Sequence, residues 1–267
     1  MKKISILLLV LLMGLSLNAC FQTQVGPSMN DLFNKSEAIL SAKVMDINGT
    51  SLLLANMAED AGPADIYQLN GEKVAFITDA DGNKLDVSAL ERGMLVEIAY
   101  DGMLQESFPM GISNATGILI KGQSDDLGGF YRTVIDDLFK VDPGLNDHVE
   151  ILAFNLTGVV NMTATEKTAL IYILGNTYKM TAFAGTYEEL CEQGYINKEK
   201  MYFEKGLLFT IEDTMMSDGS FTFDAQKWRS GDWCILFSRM YGEKNTGWLE
   251  LYHWRGDDFI AYIDYID

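Results

Sequence analysis

Few side chains in this sequence are equipped for acid–base or nucleophilic chemistry, and their spacing restricts them further. There are only two histidines, His148 and His253, so any Ser-His-Asp or Cys-His site must use one of them. His148 follows Asn146-Asp147 in a turn, where a solvated side chain is the default. His253 alternates with Leu249 and Leu251 along one strand face, where a core or edge histidine is the default. A G-x-S-x-G elbow, an H-E-x-x-H helix, a P-loop and a G-x-G-x-x-G turn are all absent from the sequence, and no cofactor is implied.

Carboxylates are plentiful. The run Asp79-Ala80-Asp81-Gly82-Asn83 reproduces the first oxygen spacings of an EF-hand loop, but Lys84 stands where that loop needs glycine and Leu90 where it needs the bidentate glutamate. A hairpin turn is expected there, and no metal. The acidic loop from Asp142 to Asp147 is explained by its Pro143-Gly144 centre as a helix stop. Glycoside hydrolysis needs two carboxyl groups about 5 to 9.5 Å apart, and Asp224, Glu250, Asp257 and Asp258 fall in one strand-rich region. With 38 acidic residues in the chain, such pairs arise freely by chance, so a hydrolase acting on an envelope polymer is the alternative reading.

The third reactive type is cysteine. Cys191 and Cys234 have neither C-x-x-C nor zinc-finger spacing, and each sits among apolar neighbours. Buried thiols and a mutual disulfide are both open. Cys20 differs, because it closes an apolar run that begins behind Lys2 and Lys3. The run is shorter than the roughly 20 residues that span a bilayer, so residues 1–19 read as a secretion signal. Leu17-Asn18-Ala19-Cys20 resembles the lipobox of bacterial lipoproteins. The resemblance implies a diacylglyceryl group on the Cys20 sulfur, cleavage before Cys20, and a protein held on the outer face of the cell membrane. Each buried methylene contributes about 0.8 kcal/mol, and two acyl chains give stable anchoring where one does not.

Removing residues 1–19 takes away two lysines and no acids, which leaves 18 basic and 38 acidic residues and a formal charge of −20. Such a surface is repelled by phosphates, which disfavours nucleic acid as a partner. The acids are scattered and 48% of the chain is apolar, as in a folded protein with a solvated anionic surface.

The strongest local concentration of one chemistry is aromatic. All four tryptophans fall between Trp228 and Trp254, and Trp248, Tyr252 and Trp254 share a strand face with Glu250. That face is either a platform for stacking on sugars or peptides, or a surface covered by more protein. Coverage is the default, since large aromatics dominate cores.

The elements that must position these groups divide the chain. Residues 20–36 form a lipidated tether, with an expected span on the order of 20 Å. Residues 37–122 read as short strands and tight turns, with Asn48-Gly49 as a two-residue hairpin signal, and make a small all-β barrel or roll. Here the residues Gly93 to Gly102 in G-x-x-V-x-I-x-Y-D-G order, the step Ser107-Phe108-Pro109 and a closing strand from Ile112 to Ile120 resemble an OB-like domain family found in lipoproteins of Gram-positive bacteria. The resemblance implies an OB-like barrel and an envelope location, and brings no activity. Residues 123–267 read as an α+β domain. Its first helix carries Phe130, Val134, Leu138 and Val141, two further helices open at the capping boxes Thr163 to Glu166 and Thr186 to Glu189, and five closing strands are expected to form an antiparallel sheet. Gly219 to Gly231, "GSFTFDAQKWRSG", resembles a segment in extracytoplasmic domains of Gram-positive membrane proteins, including sensor-type metallopeptidases, but no zinc motif accompanies it.

The whole reads as a lipid-anchored, extracytoplasmic two-domain protein, most simply a non-catalytic binding or interaction module whose partner is an envelope peptide, a glycan or a membrane protein.

Overall fold

The computed structural model describes Phe33 and residues 36–231, 233–245 and 248–249. The signal segment, Cys20, the tether apart from Phe33 and Ser36, Tyr252, Trp254 and the expected last strand lie outside the described residues. The fold is mixed α/β, built mostly of strands in two sheets with few helices.

The first sheet is made of β1 (Ala38–Asn48), β2 (Ser51–Asn56), β3 (Ile66–Asn70), β4 (Phe76–Thr78), β5 (Lys84–Leu85), β6 (Met94–Tyr100), β7 (Leu104–Gln105), β8 (Met110–Ile112) and β9 (Ala115–Gln123). Their order is β5-β4-β9-β6-β1-β2-β3-β8-β7, antiparallel except where β3 meets β8 and β4 meets β9. The outermost strands do not pair with each other, so among the described residues there is no closed barrel. Bulges in β1 between Val44 and Asp46, and in β9 opposite β6, bend the sheet over one core that includes Leu40, Val44, Leu52, Leu54, Val96, Ile98 and Ile118. The first hairpin turns one residue later than the sequence suggests: Asn48 pairs with Ser51, and Gly49, at φ 62°, begins the two-residue loop.

The second sheet follows α1 (Leu127–Lys140) and contains β10 (Ile151–Gly158), β11 (Thr181–Ala184), β12 (Gly206–Asp213), β13 (Ser220–Ser230), β14 (Trp233–Asn245) and β15 (Trp248–Leu249), with α2 (Ala164–Tyr178) between β10 and β11 and α3 (Tyr187–Glu192) after β11. Its order is β11-β10-β12-β13-β14-β15. The expected antiparallel sheet is corrected to a mixed one. Strands β12 to β15 are antiparallel, but β11 and β12 both run parallel to β10. The reason is that α2 carries the chain back along the sheet before β11 begins, as α3 and its loop do before β12, so each strand restarts in the same direction.

The uninterrupted apolar run of β2 explains how the two sheets meet. Leu52 and Leu54 point into the first core, while the alternate residues Leu53 and Ala55 join Met45 and Ile66 in a second cluster with α1, α2 and the second sheet. A strand buried on both faces loses the polar alternation of a surface strand. One apolar cluster therefore runs from β1, β2 and β3 through α2 to Leu152, Phe154, Leu207 and Phe209. Helix α2, sandwiched between sheets, buries Ala169, Leu170, Ile171, Ile173 and Leu174 around more than one face.

On β13 the inward residues Phe221, Phe223 and Ala225 are followed in the same alternation by Lys227 and Arg229, both buried. The ammonium of Lys227 donates to the carbonyls of Phe139, Val141 and Asp142 and to Oδ1 of Asn146, at 3.3 Å for the last two. Arg229 donates to the carbonyls of Leu145 and Glu204. Two cations thus hold the turn that ends α1. Cys191 and Cys234 are half-buried and are not joined in a disulfide, and Cys234 Sγ accepts from Gln226 Nε2 at 2.6 Å.

Candidate functional site

Two concavities flank α2, whose position is set from both ends. At its start, Thr163 and Glu166 form the expected capping box; the amide of Thr163 donates to Glu166 Oε2 at 2.8 Å. The other glutamate oxygen receives Lys43 Nζ of β1 at 2.7 Å, and Thr165 Oγ1 donates to the carbonyl of Asn56. At its end, Lys179 turns in the left-handed region at φ 55°, the amide of Met180 bonds back to Gly175 O, and β11 begins. Gly175 permits this close return, because a Cβ there would stand 2.9 Å from Cβ of Ala182.

The stripe Thr168, Ile171, Tyr172, Gly175 and Asn176 faces a groove of about 790 Å³ whose other wall is β11, from Thr181 to Ala184, and whose rim is Phe108. Phe108 belongs to the Ser-Phe-Pro step, is 58% exposed, and meets the ring of Tyr172 edge-on with centroids 5.9 Å apart. Around the other side of Tyr172 and Asn176 lies a polar cleft of about 940 Å³, lined by Asn48, Ser51 and Gln68 of the first sheet and by Arg92 and Arg132. The guanidinium of Arg132 lies 3.4 Å from Asp46 and that of Arg92 3.4 Å from Asp126. These long, partly exposed pairs contribute little to stability and leave both guanidinium groups at the cleft. Tyr172 and Asn176 are common to both linings, so an apolar groove and a polar cleft adjoin on one helix turn.

Hydrogen bonds and charge hold three carboxyl groups below the usual range: Asp79 by the Asn83 amide, Asp101 by the Asn114 amide, and Asp136 by Lys140. A general acid needs the opposite shift. Asp79 serves the β4–β5 hairpin expected there, accepting from the amides of Asp81 and Asn83 at 3.0 and 2.8 Å. Asp224 accepts from the amide of Arg239 on the neighbouring strand; Glu250, Asp257, Asp258 and His253 lie outside the described residues. Among the described residues no three His, Cys, Asp or Glu side chains are grouped to hold a metal. His148 stands in the expected turn, exposed, at φ 59°.

Of the aromatic platform, the backbone of Trp248 pairs with Asn245 in β15; Tyr252 and Trp254 lie outside the described residues. Trp228 packs edge-on against Tyr187 on the face of β13 opposite Lys227. The groove residues were not apparent in the sequence as a site. Phe108 stood only inside a resemblance, Tyr172 and Asn176 occupy ordinary helical positions, and β11 carries no strand pattern longer than four residues. No described helix is long and apolar enough to cross a membrane. The chain matches no protein-family model and no curated protein.

Proposed function

We propose that this is a lipid-anchored binding protein of the Gram-positive cell envelope, tethered through Cys20 on the outer face of the membrane, which holds an envelope ligand in the concavity around Tyr172 and Asn176. The lipobox and the anionic mature surface support the address. The carrying observation for the role is the adjoining groove and cleft, with Phe108 exposed at the rim of the groove and Tyr172 lining both.

The N-terminal sheet is proposed to be an OB-like unit. In its support, β8 and β9 stand at opposite ends of the run β9-β6-β1-β2-β3-β8 yet are joined only through Ser113 and Asn114. Taken as one bent strand, they give the cyclic order of an OB-like barrel with an open seam. OB folds bind through the face of their second and third strands and the loops beside it. In this chain that face carries Ser51, Leu53 and Gln68, the end of β1 beside it carries Asn48 and the β7–β8 loop carries Phe108, all bordering the two concavities.

The test is titration of the detergent-solubilised lipoprotein with cell-wall peptides and glycan fragments, beside the double variant Phe108→Ala/Tyr172→Ala. Binding that the variant weakens by about tenfold or more supports the reading, since anchor aromatics carry most binding energy. No binding by either class of fragment, or binding that the variant leaves unchanged, overturns it.

A further inference from the structure

We propose that the outer edge of β11 takes up an extended peptide segment by strand addition, with a cationic group on the peptide's N-terminal side and a carboxylate on its C-terminal side. The inference rests on the binding reading above and names its ligand class.

The edge itself selects a polypeptide. On its inner side β11 pairs with β10: the amide of Thr181 donates to Glu150 O at 3.1 Å and that of Gly185 to Phe154 O at 3.0 Å. Alternate residues of a strand face opposite neighbours, so Ala182 and Ala184 turn their amides and carbonyls into the groove. Among the described residues no strand pairs with that edge. Proteins blunt such edges with charge, proline or brevity. Strands β5 and β7, which end the first sheet, have two residues each, whereas β11 presents Thr-Ala-Phe-Ala with neither charge nor proline. A sugar cannot match donors and acceptors repeating at strand spacing; a peptide main chain does, with its side chains seated between Ile171, Tyr172 and the exposed ring of Phe108.

Charge gives the direction. Among the described residues Lys179 is the single charged one lining the groove, just before β11, and Glu188 and Glu189 stand exposed in the first turn of α3, just past its end. An antiparallel partner, the more stable pairing, brings its N-terminal side to the glutamates and its C-terminal side to Lys179. A second copy is the poorer occupant, because each chain carries a formal charge of −18 before processing.

The probes are two pools of end-capped hexapeptides with four variable Val, Thr, Ala or Ile positions between Lys and Asp, in the order Lys-first or Asp-first, offered to the full-chain lipoprotein in detergent. Recovery of the Lys-first pool about tenfold above the other, abolished when alternate peptide amides are N-methylated, supports the proposal. Ala182→Pro should weaken recovery by a similar factor while preserving the thermal melt, since that amide is outside the β10 ladder. Lys179→Glu should remove the preference between pools. Equal recovery of both pools, or indifference to N-methylation, overturns it. Tyr172-dependent binding of glycan fragments with both pools ignored overturns the peptide assignment and leaves the broader binding reading standing. Self-association that Ala182→Pro abolishes, without peptide recovery, gives the edge to a second copy and also overturns it.

Discussion

Lys43 Nζ of β1 lies 2.7 Å from Glu166 Oε1 at the start of α2, and both side chains are almost fully buried. The pair joins the first sheet to the helix that lines the groove. Two charges withdrawn from water tolerate loss of one partner poorly. Lys43→Met should lower unfolding stability by about 3–5 kcal/mol, and adding Glu166→Gln, which keeps an acceptor for the Thr163 amide, should recover part of that loss in denaturant titrations. A double variant no better than the single would remove the ion pair as the cause.

Lys227 supplies a pH signature. Burial pushes its pKa from 10.5 down to about 8, with the charge of Asp142 opposing the shift. Between those values the unfolded chain still binds a proton that the folded chain has released, so this residue's contribution to stability rises with pH across the window and is flat below it. The stability difference between the natural chain and Lys227→Met should therefore grow from about pH 7.5 to about pH 9.5, by at most roughly 1.4 kcal/mol per pH unit. Tyrosines that titrate nearby cancel in the difference. A difference that stays flat or shrinks would contradict the assignment.

Gly175 sets the width of the groove. Gly175→Ala gains about 1 kcal/mol of helix propensity but places a Cβ 2.9 Å from Ala182, and overpacking costs about 1–3 kcal/mol. The expected net effect is a modest loss of stability together with faster hydrogen exchange at the amides of Thr181 and Gly185, as β11 is pushed from the helix. Unchanged exchange at both would show that the strand accommodates the methyl group.

Leu53 reports the weld between the sheets. It points away from the first core, yet it is buried against the cluster around α2. Leu53→Ala should cost about 2–5 kcal/mol, as a core truncation does, with fluorescence and circular dichroism transitions still coincident. Two separated transitions would indicate that the sheets unfold independently.

The lipid anchor has its own check. Mass spectrometry of the native N-terminal peptide should find a diacylglyceryl group on Cys20, and Cys20→Ala should move the protein from the membrane fraction to the medium. An unmodified thiol, or a cytosolic wild-type protein, would end the envelope reading.

What was legible in the sequence is what neighbouring residues decide among themselves. The capping boxes at Thr163 and Thr186, the stop at Pro143-Gly144 and the Asp79 hairpin each stand where local patterns put them. The buried Lys227 and Arg229 mark where that reasoning ended: charged residues in a strand read as exposed, and only the carbonyl oxygens of a turn more than eighty residues earlier make their burial tolerable.

By itself, the sequence determined most element types, their caps and most turns, and the anionic composition, because each depends on short-range periodicity or composition. Only the tertiary structure decided that β11 and β12 run parallel to β10, that β2 is covered on both faces, and that Phe108 meets Tyr172 at the mouth of a groove. Those are long-range pairings, fixed by how the two sheets bury one shared apolar surface around α2, and no window of adjacent residues contains that information.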